Sequence, residues 1–320
     1  MKINGLHHVA YAVQDIDKVR TFWQKLGFTL LNDQKKTPEG TESILWIGQV
    51  QIQLHPTSAV PMAAVWRENK VRDDLYQICL EVDDLQDAIT TLHKAGIVAT
   101  TEPEDTVQGR QFYIDPKYTG IYYLGFIELK DSLKHKDTAN KQENIAKLLG
   151  YKNLDAKKLS SNNLGMTNIH HIGISVADYE RARHLWQDIL GFDAIYQHFK
   201  ERNFKEDAMY LGDAQIHLYR SDNPELKFYS WPRKNGDGME TLSVVVDNIN
   251  KAISALRAAE MDISGLGPES MSQGMSVFID KKYTNGNDFE IVEMHYFLRG
   301  KTIEQQKKIV YHFFGNGTVL

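Results

Sequence analysis

The sequence predicts an α+β protein made of four similar modules, which are grouped into two tandem units. Three observations support this fold class. The 320-residue chain repeats itself at an offset of 163 to 165 residues, each half contains two strand-to-helix starts, and a polar stretch separates the halves. We therefore predict a first unit over residues 1–130, a linker over 131–165, a second unit over 166–298 and a helical tail over 299–320.

The repeat is visible in short segments that follow one another in the same order in both halves. Trp23 corresponds to Trp186 at an offset of 163 residues, and one added residue raises the offset to 164 where Gly27 corresponds to Gly191. The longer matched segments are His7–Val13 with His170–Val176, Ile47–Leu54 with Leu211–Leu218, and Tyr113–Thr119 with Phe278–Thr284. This agreement in order and spacing indicates a duplicated unit.

Each half begins twice with an apolar strand that turns into an amphipathic helix. In the first module Asp15 is a suitable N-cap, and Gly27 stands where the helix should end. Short β-rich segments separated by turn residues follow each helix, so we expect one helix and several strands in every module. The apolar residues at helical spacing are Ile16, Val19, Trp23 and Leu26; Leu85, Ala88, Ile89 and Leu92; Tyr179, Ala182, Trp186 and Ile189; and Ile249, Ala252, Ile253 and Leu256.

The linker and the tail differ in composition from the two units. The linker is rich in Lys, Asp, Asn and Gln, and it contains one short helical patch at Ile145–Gly150. The tail predicts a terminal helix whose expected role is packing. The apolar side of that helix would be formed by Ile303, Ile309, Val310, Phe313 and Phe314.

Composition argues against nucleic acid and membranes as partners. The chain carries 37 Lys and Arg against 42 Asp and Glu, a net charge of −5, and neither sign forms a stripe that would follow a phosphate backbone. No apolar run approaches the roughly 18 residues that cross a bilayer. The first residues lead into a strand, so we expect a cytoplasmic protein. The single cysteine, Cys79, lies between Ile78 and Leu80, which indicates a packed thiol.

Several motifs resemble one known family. The segments that carry the resemblance are Leu6–Val13, Leu54–Pro56, Gln77–Asp83, Asp115–Lys117 and Phe126–Leu129. They resemble the vicinal oxygen chelate superfamily, which includes glyoxalase I, the bleomycin resistance proteins and the extradiol dioxygenases, with a local likeness to the methylmalonyl-CoA epimerases. The resemblance covers nearly all of the chain except the linker and the tail. It implies four βαβββ modules arranged as two units with cupped mixed sheets, and a divalent metal bound by the first and last strands of each module.

The resemblance also implies a set of metal ligands in each half. In the first half they are His8, Gln53, Gln77 (where the family usually has His) and Glu128. In the second half they are His171, His217 and Glu293, with Thr241 at the remaining position. Two imidazoles and one carboxylate suit Zn, Ni, Co, Mn or Fe, so we expect one divalent ion in the C-terminal unit.

Strand alternation leaves part of this ligand set open. The middle ligand is Gln51 or Gln53 in the first half, and Gln215 or His217 in the second; Gln53 and His217 are preferred because the repeat pairs them. The same alternation predicts that His7 and His170 point to the opposite face of their strands. Finally, Gln108–Gly109 and Gln273–Gly274 recur at one place in both halves, which suits a loop over the cup or a simple glycine turn.

Three functions are compatible with this ligand set. The first is a metal-dependent lyase or isomerase of the glyoxalase and epimerase type, in which Glu293 or Glu128 would be both ligand and general base for enolate formation on a small carbonyl substrate. An extradiol-type ring-cleaving dioxygenase is the alternative. A non-catalytic small-molecule binding protein of the resistance type is the third. Because paired units satisfy module pairing within one chain, either a monomer or a homodimer is expected.

Overall fold

The structure is a computed structural model of the chain. It describes residues 1–32, 43–57, 74–100, 102–120, 122–134, 137–151, 155–159, 161–199, 203–235, 238–271, 273–284 and 288–314. The chain divides into two compact units, Met1–Thr167 and Asn168–Leu320. The first of these includes the residues that the sequence marks as a linker, and the second includes the tail.

The helices and strands of the two units follow the same order. The first unit contains β1 (Ile3–Val13), α1 (Ile16–Lys25), β2 (Leu31–Asn32), β3 (Ser43–Ile47), β4 (Val50–Pro56), β5 (Asp74–Val82), α2 (Leu85–Lys94), β6 (Glu104–Asp105), β7 (Gly109–Ile114), α3 (Pro116–Thr119), β8 (Tyr123–Leu129), α4 (Thr138–Leu148) and α5 (Ala156–Leu159). The second unit contains β9 (Met166–Ser175), α6 (Tyr179–Arg183), a π-helix (His184–Ile189), β10 (Ala194–Phe199), β11 (Phe204–Leu211), β12 (Ala214–Ser221), α7 (Lys227–Asn235), β13 (Gly238–Val246), α8 (Ile249–Ala258), β14 (Ile263–Ser270), β15 (Gly274–Ile279), β16 (Asp288–Met294) and α9 (Ile303–Phe314).

Each unit is built around one mixed eight-stranded sheet. The strand orders are β2-β3-β4-β1-β5-β8-β7-β6 and β10-β11-β12-β9-β13-β16-β15-β14. The first and last strands of every module pair in parallel, as in β1 with β4 and β5 with β8, and also β9 with β12 and β13 with β16. Two βαβββ modules thus meet at the centre of each sheet, which confirms the predicted fold class of four modules in two tandem units.

Local sequence signals explain why the module helices begin and end where they do. The Asp15 side chain accepts a hydrogen bond from the backbone of Lys18 at 3.0 Å, and Asp178 caps α6 in the same way. Gly27 and Gly191 follow the helices with φ of 87° and 80°, a left-handed conformation that favours glycine. These caps fix the entry and exit of each helix.

The extra residue of the second half is absorbed by the π-helix. Between Trp186 and Gly191 the chain has one residue more than between Trp23 and Gly27, and this is where α6 widens into the π-helical segment His184–Ile189. A single insertion within a helix is accommodated by a π-turn, because the turn holds one extra residue. Trp186 therefore stays fully buried, as Trp23 does.

Helix α4, which follows the last strand of the first unit, packs on one face of the first sheet. This face carries His8, Gln77 and Cys79, and we call it the inner face. Helix α4 contributes Ile145 and Ala146 to a buried cluster. The sheet contributes Trp46, Cys79, Ile127 and Leu129 to the same cluster, and α5 contributes Leu159. The amide of Gln142 fastens the helix further by donating to the carbonyl of Gly48 at 2.7 Å. The inner face of the first sheet is therefore covered by the segment that composition marks as a linker.

The second unit carries a helix at the matching position. Helix α9 begins nine residues after β16 ends, as α4 does after β8. Val310 of α9 is fully buried against Ile195, Tyr210 and Leu298, with Ile303 and Ile309 packed beside them. Phe313 and Phe314, which were expected on the same side, have side chains outside the described part of the structure. None of the described helices is long and apolar enough to cross a membrane.

Candidate functional site

A β-bulge places two consecutive histidines on the inner face of the first sheet. Leu6 pairs with Leu80 and His8 with Cys79, so His7 is an additional residue in β1. The two imidazoles consequently approach one another, with 2.8 Å between their Nδ1 atoms. The expectation that His7 points away from the site is wrong, because a bulge interrupts the alternation on which it was based. His170 and His171 show the same 2.8 Å contact in the second unit.

Every imidazole nitrogen of the first pair is engaged within the protein. Gln77 Nε2 donates to His8 Nε2 at 2.7 Å, and His7 Nε2 lies 3.1 Å from Gln108 Oε1. Both rings are buried. Burial lowers the pKa of His7 to about 3 and the pKa of His8 well below its ordinary value, so both rings are neutral.

Among the described residues of the first unit, no carboxylate stands at the position that pairs with Cys79. In β8 the residue that pairs with Cys79 is Gly125, and a Cβ atom there would stand 2.4 Å from the ring of Tyr113. Nitrogen and sulfur atoms of His7, His8 and Cys79 lie within 4.8 Å of one another. However, burial raises the pKa of the Cys79 thiol well above its ordinary value, which keeps it protonated and agrees with a packed thiol.

The other residues predicted for the first site lie at different places. Gln53 lies on the inner face, where its amide donates to Gln51 Oε1 at 3.3 Å. Glu128 is on the opposite face of β8, because it is three residues from Gly125. There it accepts hydrogen bonds from the backbone of Leu85 at 3.1 Å and from Lys134 at 2.8 Å. The structure therefore does not bring Glu128 to His8.

The inner face of the second sheet joins histidines to a carboxylate. The rings of His171 and His217 are stacked, with centroids 4.0 Å apart and an interplanar angle of 3°. Glu290 of β16 is buried at the position that Gly125 occupies in the first unit, and its Oε2 lies 3.5 Å from His171 Nε2. The hydroxyl group of Tyr219 is 3.0 Å from the same nitrogen atom.

A second carboxylate contacts the other histidine. Glu206 Oε1 lies 2.6 Å from His217 Nδ1. On the far side of the ring, His217 Nε2 donates to Gln215 Oε1 at 2.8 Å. Across the sheet, from β11 through β12 and β9 to β16, a carboxylate, two imidazoles and a second carboxylate thus follow one another, and all of them face the same side.

The second site concentrates negative charge in a buried environment. Burial raises the pKa of Glu290, which means that its charged form is poorly compensated by the protein. Burial also raises the pKa of Tyr219 well above its ordinary value, with further contributions from Glu206, Glu290, Glu240 and Asp288. A bound cation would offset this excess, and the mixture of imidazole and carboxylate donors matches the ligands of borderline divalent metals. The residues present therefore fit a divalent ion.

Glu293 lies apart from this cluster. It is three residues from Glu290 in the same strand, so strand alternation places it on the opposite face of the sheet. The backbone nitrogen of Ile249, the first residue of α8, donates to Glu293 Oε2 at 2.8 Å, and Arg299 binds the other oxygen. Glu293 and Glu128 therefore hold equivalent positions at the starts of two helices. Glu293 does not contact His171, and Glu128 does not contact His8, although the resemblance implied that each pair binds one metal ion.

We predict a pH-dependent stabilising role for Glu293. Its bond to the Ile249 nitrogen lowers the pKa of Glu293, so the stabilisation is present above the unfolded-state carboxyl pKa of about 4.3 and is lost as the pH falls through the lower folded-state value. Glu293→Gln should reduce the free energy of unfolding by about 1 kcal/mol at pH 7, as for loss of a helix cap. Urea denaturation at pH 7 and pH 3 should show the difference becoming smaller in acid. An equal loss at both pH values would contradict the prediction.

Several site residues were not identified from the sequence. Glu290 follows Phe289 and precedes Ile291, and an acidic residue between apolar neighbours in a central strand is a usable signal of a buried charge. Gln108 and Gln273 are buried within the inner-face networks, and their recurrence was the available signal. Glu206 and Tyr219 had no distinctive pattern in the sequence.

The comparisons with known proteins agree with this fold. A family model described as the Glyoxalase/Bleomycin resistance protein/Dioxygenase superfamily matches residues 7–114 and again residues 170–278. The chain is 30% identical over 104 residues to mitochondrial methylmalonyl-CoA epimerase of Homo sapiens, and this alignment covers 31% of the chain and 58% of that protein. An uncharacterized protein of Bacillus subtilis is 22% identical over 130 residues, which covers 40% of the chain and 93% of that protein.

Two solved structures are similar to nearly the whole chain. A mutant of 4-hydroxymandelate synthase from Streptomyces coelicolor has a TM-score of 0.67 at 12% identity, covering 92% of this chain and 94% of that one. A 2,2',3-trihydroxybiphenyl 1,2-dioxygenase from Sphingomonas wittichii has a TM-score of 0.61 at 13% identity, covering 91% of both chains. At these identities the likeness concerns the fold. With one family match in each half, the chain belongs to the Glyoxalase/Bleomycin resistance protein/Dioxygenase superfamily.

Proposed function

We propose that the second unit binds one divalent metal ion and acts on a small carbonyl substrate, and that the first unit is structural. The observation that carries this proposal is the buried contact between His171 and Glu290, next to the contact between His217 and Glu206. The first unit has Gln53 in place of His217 and Gly125 in place of Glu290, and α4 covers its inner face.

The proposed ligands are His171, His217 and Glu290, with Glu290 in the place that the resemblance implied for Glu293. Their donor types suit Zn, Ni, Co, Mn or Fe. When bound, such an ion supplies Lewis-acid stabilisation of negative charge on a substrate carbonyl oxygen. His217 Nε2 donates to Gln215 and Nδ1 contacts Glu206, so a metal ion bound by this ring would take the place of one of these two contacts.

The side chains around these ligands suit a proton transfer next to a carbonyl group, as in a lyase or isomerase. Glu206 is a carboxylate within reach of the site, and we propose it as the general base. The Tyr219 hydroxyl group is protonated at neutral pH, as in an ordinary tyrosine, and burial raises its pKa further, so it can donate a hydrogen bond to a substrate oxygen. The inner face is buried, which strengthens both interactions by excluding water.

Metal content of the purified protein, produced without a chelating tag, tests the proposal. We expect about one ion per chain in the wild type. The variant His171→Ala should lose the ion, whereas the matched change His8→Ala in the first unit should leave it bound. The same variants can be tested in deuterated water for proton exchange into small hydroxycarbonyl compounds. A wild-type protein that holds no metal after reloading would contradict both enzymatic functions and leave the small-molecule binding protein.

A ring-cleaving dioxygenase is the second candidate, and the donor set favours it. Two imidazoles and one carboxylate are the ligand types of non-haem iron oxygenases, which keep coordination positions open for oxygen and substrate. This function predicts iron as the bound metal and oxygen consumption with a catechol. Zinc, nickel or cobalt together with proton exchange would favour the lyase or isomerase.

A further inference from the structure

In the first unit a chain of hydrogen bonds, which we call the relay, runs from Gln77 through His8 and His7 to Gln108. It shows which ring nitrogens carry protons. Gln77 Nε2 lies 2.7 Å from His8 Nε2, and an amide nitrogen only donates, so His8 accepts there. At the other end, Gln108 Oε1 only accepts, so His7 Nε2 carries a proton toward it across 3.1 Å. The 2.8 Å bond between the two Nδ1 atoms therefore runs from His8 to His7. Every ring nitrogen of the pair is satisfied.

The second unit keeps the histidine pair and changes one end of this relay. His170 and His171 are joined by the same 2.8 Å contact between Nδ1 atoms. Gln273, which matches Gln108 in the repeat, is held by Gln215 through two hydrogen bonds of 2.9 and 3.1 Å. Gln108 is held by Gln51 in the same way and still lies within hydrogen-bond distance of His7. In the second unit, by contrast, His170 Nε2 is buried without a hydrogen-bond partner in the described part of the chain.

The other end of the relay differs as well. Thr241 occupies the position of Gln77, the residue that donates to His8. Gln77 pairs with the first residue of β8, and Thr241 pairs with the first residue of the matching strand, β16. Threonine is too short to reproduce the amide donor of glutamine. The Nε2 atom of His171 faces Tyr219 and Glu290 instead, at 3.0 and 3.5 Å. The nitrogen that accepts a hydrogen bond from an amide in the first unit thus faces a hydroxyl group and a carboxyl group in the second.

The proton positions in the second unit follow from the same reasoning. A His171 that presents its Nε2 lone pair carries its proton on Nδ1, and it donates that proton to His170 Nδ1. Neutral His170 must then carry its own proton on Nε2. This donor is buried and has no protein acceptor among the described residues, and leaving a buried donor unsatisfied is unfavourable.

We propose that His170 Nε2–H donates a hydrogen bond to an oxygen atom of the substrate. In the first unit the matching donor binds the side-chain carbonyl oxygen of Gln108. The substrate group that takes this place is therefore a carbonyl or carboxylate oxygen. The His170 ring lies 6.3 Å from the ring of His217, so the donor and the proposed ligands share the inner face. The inference rests on the proposed function, because the direction of the relay depends on His171 being a ligand.

Two substitutions at His170 separate substrate contact from ligand positioning. Asparagine retains a polar atom near Nδ1, which can accept from His171, but it lacks the distal donor. Glutamine retains an amide donor near Nε2. The probe is oxalate, a small anion with two neighbouring oxygens, titrated into Co(II)-loaded protein and followed by visible absorption. His7→Asn in the first unit is the matched control.

We expect His170→Asn to bind one Co(II) ion per chain and to lose about tenfold or more in oxalate affinity. His170→Gln should stay within about threefold of the wild type, and His7→Asn should not change oxalate binding. Wild-type affinity in Co(II)-loaded His170→Asn would overturn the inference and leave the proposed metal site standing. A wild-type protein that binds no Co(II) would overturn both the inference and the proposed metal site. A wild-type protein that binds Co(II) but not oxalate would contradict the inference alone.

A measurement on the wild type covers the case in which the variants fail to fold. With ¹⁵N-labelled histidine in the Zn(II)-loaded protein, the nitrogen resonances should report the Nε2–H tautomer for His170. Oxalate should shift its Nε2–H proton resonance. The opposite tautomer, or a resonance that oxalate does not shift, would contradict the contact.

Discussion

Glu290→Gln should remove the metal from the second unit, whereas Glu293→Gln should leave it bound. Glu290 is the carboxylate that lies 3.5 Å from His171 Nε2, and it has no equivalent in the first unit, where glycine stands at that position. A neutral amide is a much weaker ligand than a carboxylate for a divalent ion. We expect metal affinity to fall by at least about 100-fold, because changes outside the ligand shell already cost tenfold to 100-fold.

The comparison with Glu293 makes this experiment specific. Both residues belong to β16 and both changes remove one negative charge, but they lie on opposite faces of the sheet. Metal titration by competition with a chromophoric chelator gives the two affinities directly. Loss of metal in Glu293→Gln with retention in Glu290→Gln would restore the ligand set implied by the resemblance. Equal loss in both variants would indicate a general charge effect.

Ile145→Ala should strongly destabilise the first unit. Ile145 is 1% exposed and belongs to the cluster that joins α4 to the inner face of the first sheet. Truncating a buried isoleucine to alanine removes apolar contacts and leaves a cavity, which reduces the free energy of unfolding by about 2–5 kcal/mol. The expected result follows from α4 being part of the folded unit, not a connector between two independent domains.

Leu148→Ala is the matched control for this prediction. Leu148 lies in the same helix but is 43% exposed, so its truncation should change the unfolding free energy by about 0.5 kcal/mol or less. Chemical denaturation monitored by tryptophan fluorescence is suitable, because Trp46 lies in the same cluster as Ile145. Equal effects of the two changes would mean that α4 does not pack as described. Metal content of the second unit should be unaffected by either change.

Local sequence patterns determined the architecture of this chain. Apolar residues at helical spacing, N-cap residues and terminal glycines lie close together in sequence, and they specify helices whatever the surroundings. The duplication then shows that two modules recur as two units. The resemblance, and not these local patterns, implied His171 and His217 as ligands, and the repeat favoured His217 over Gln215 because it pairs His217 with Gln53.

Tertiary structure decided which of these residues meet. His170 joins the site because of strand pairing that the sequence pattern does not show. Glu290, and not Glu293, faces His171, since a side chain's face depends on the register between β13 and β16. The covering of the first inner face by α4 likewise depends on contacts far apart in the chain. Periodicity is a local property and fixes the elements, whereas register and bulges are set by non-local hydrogen bonds and decide the chemistry of the site.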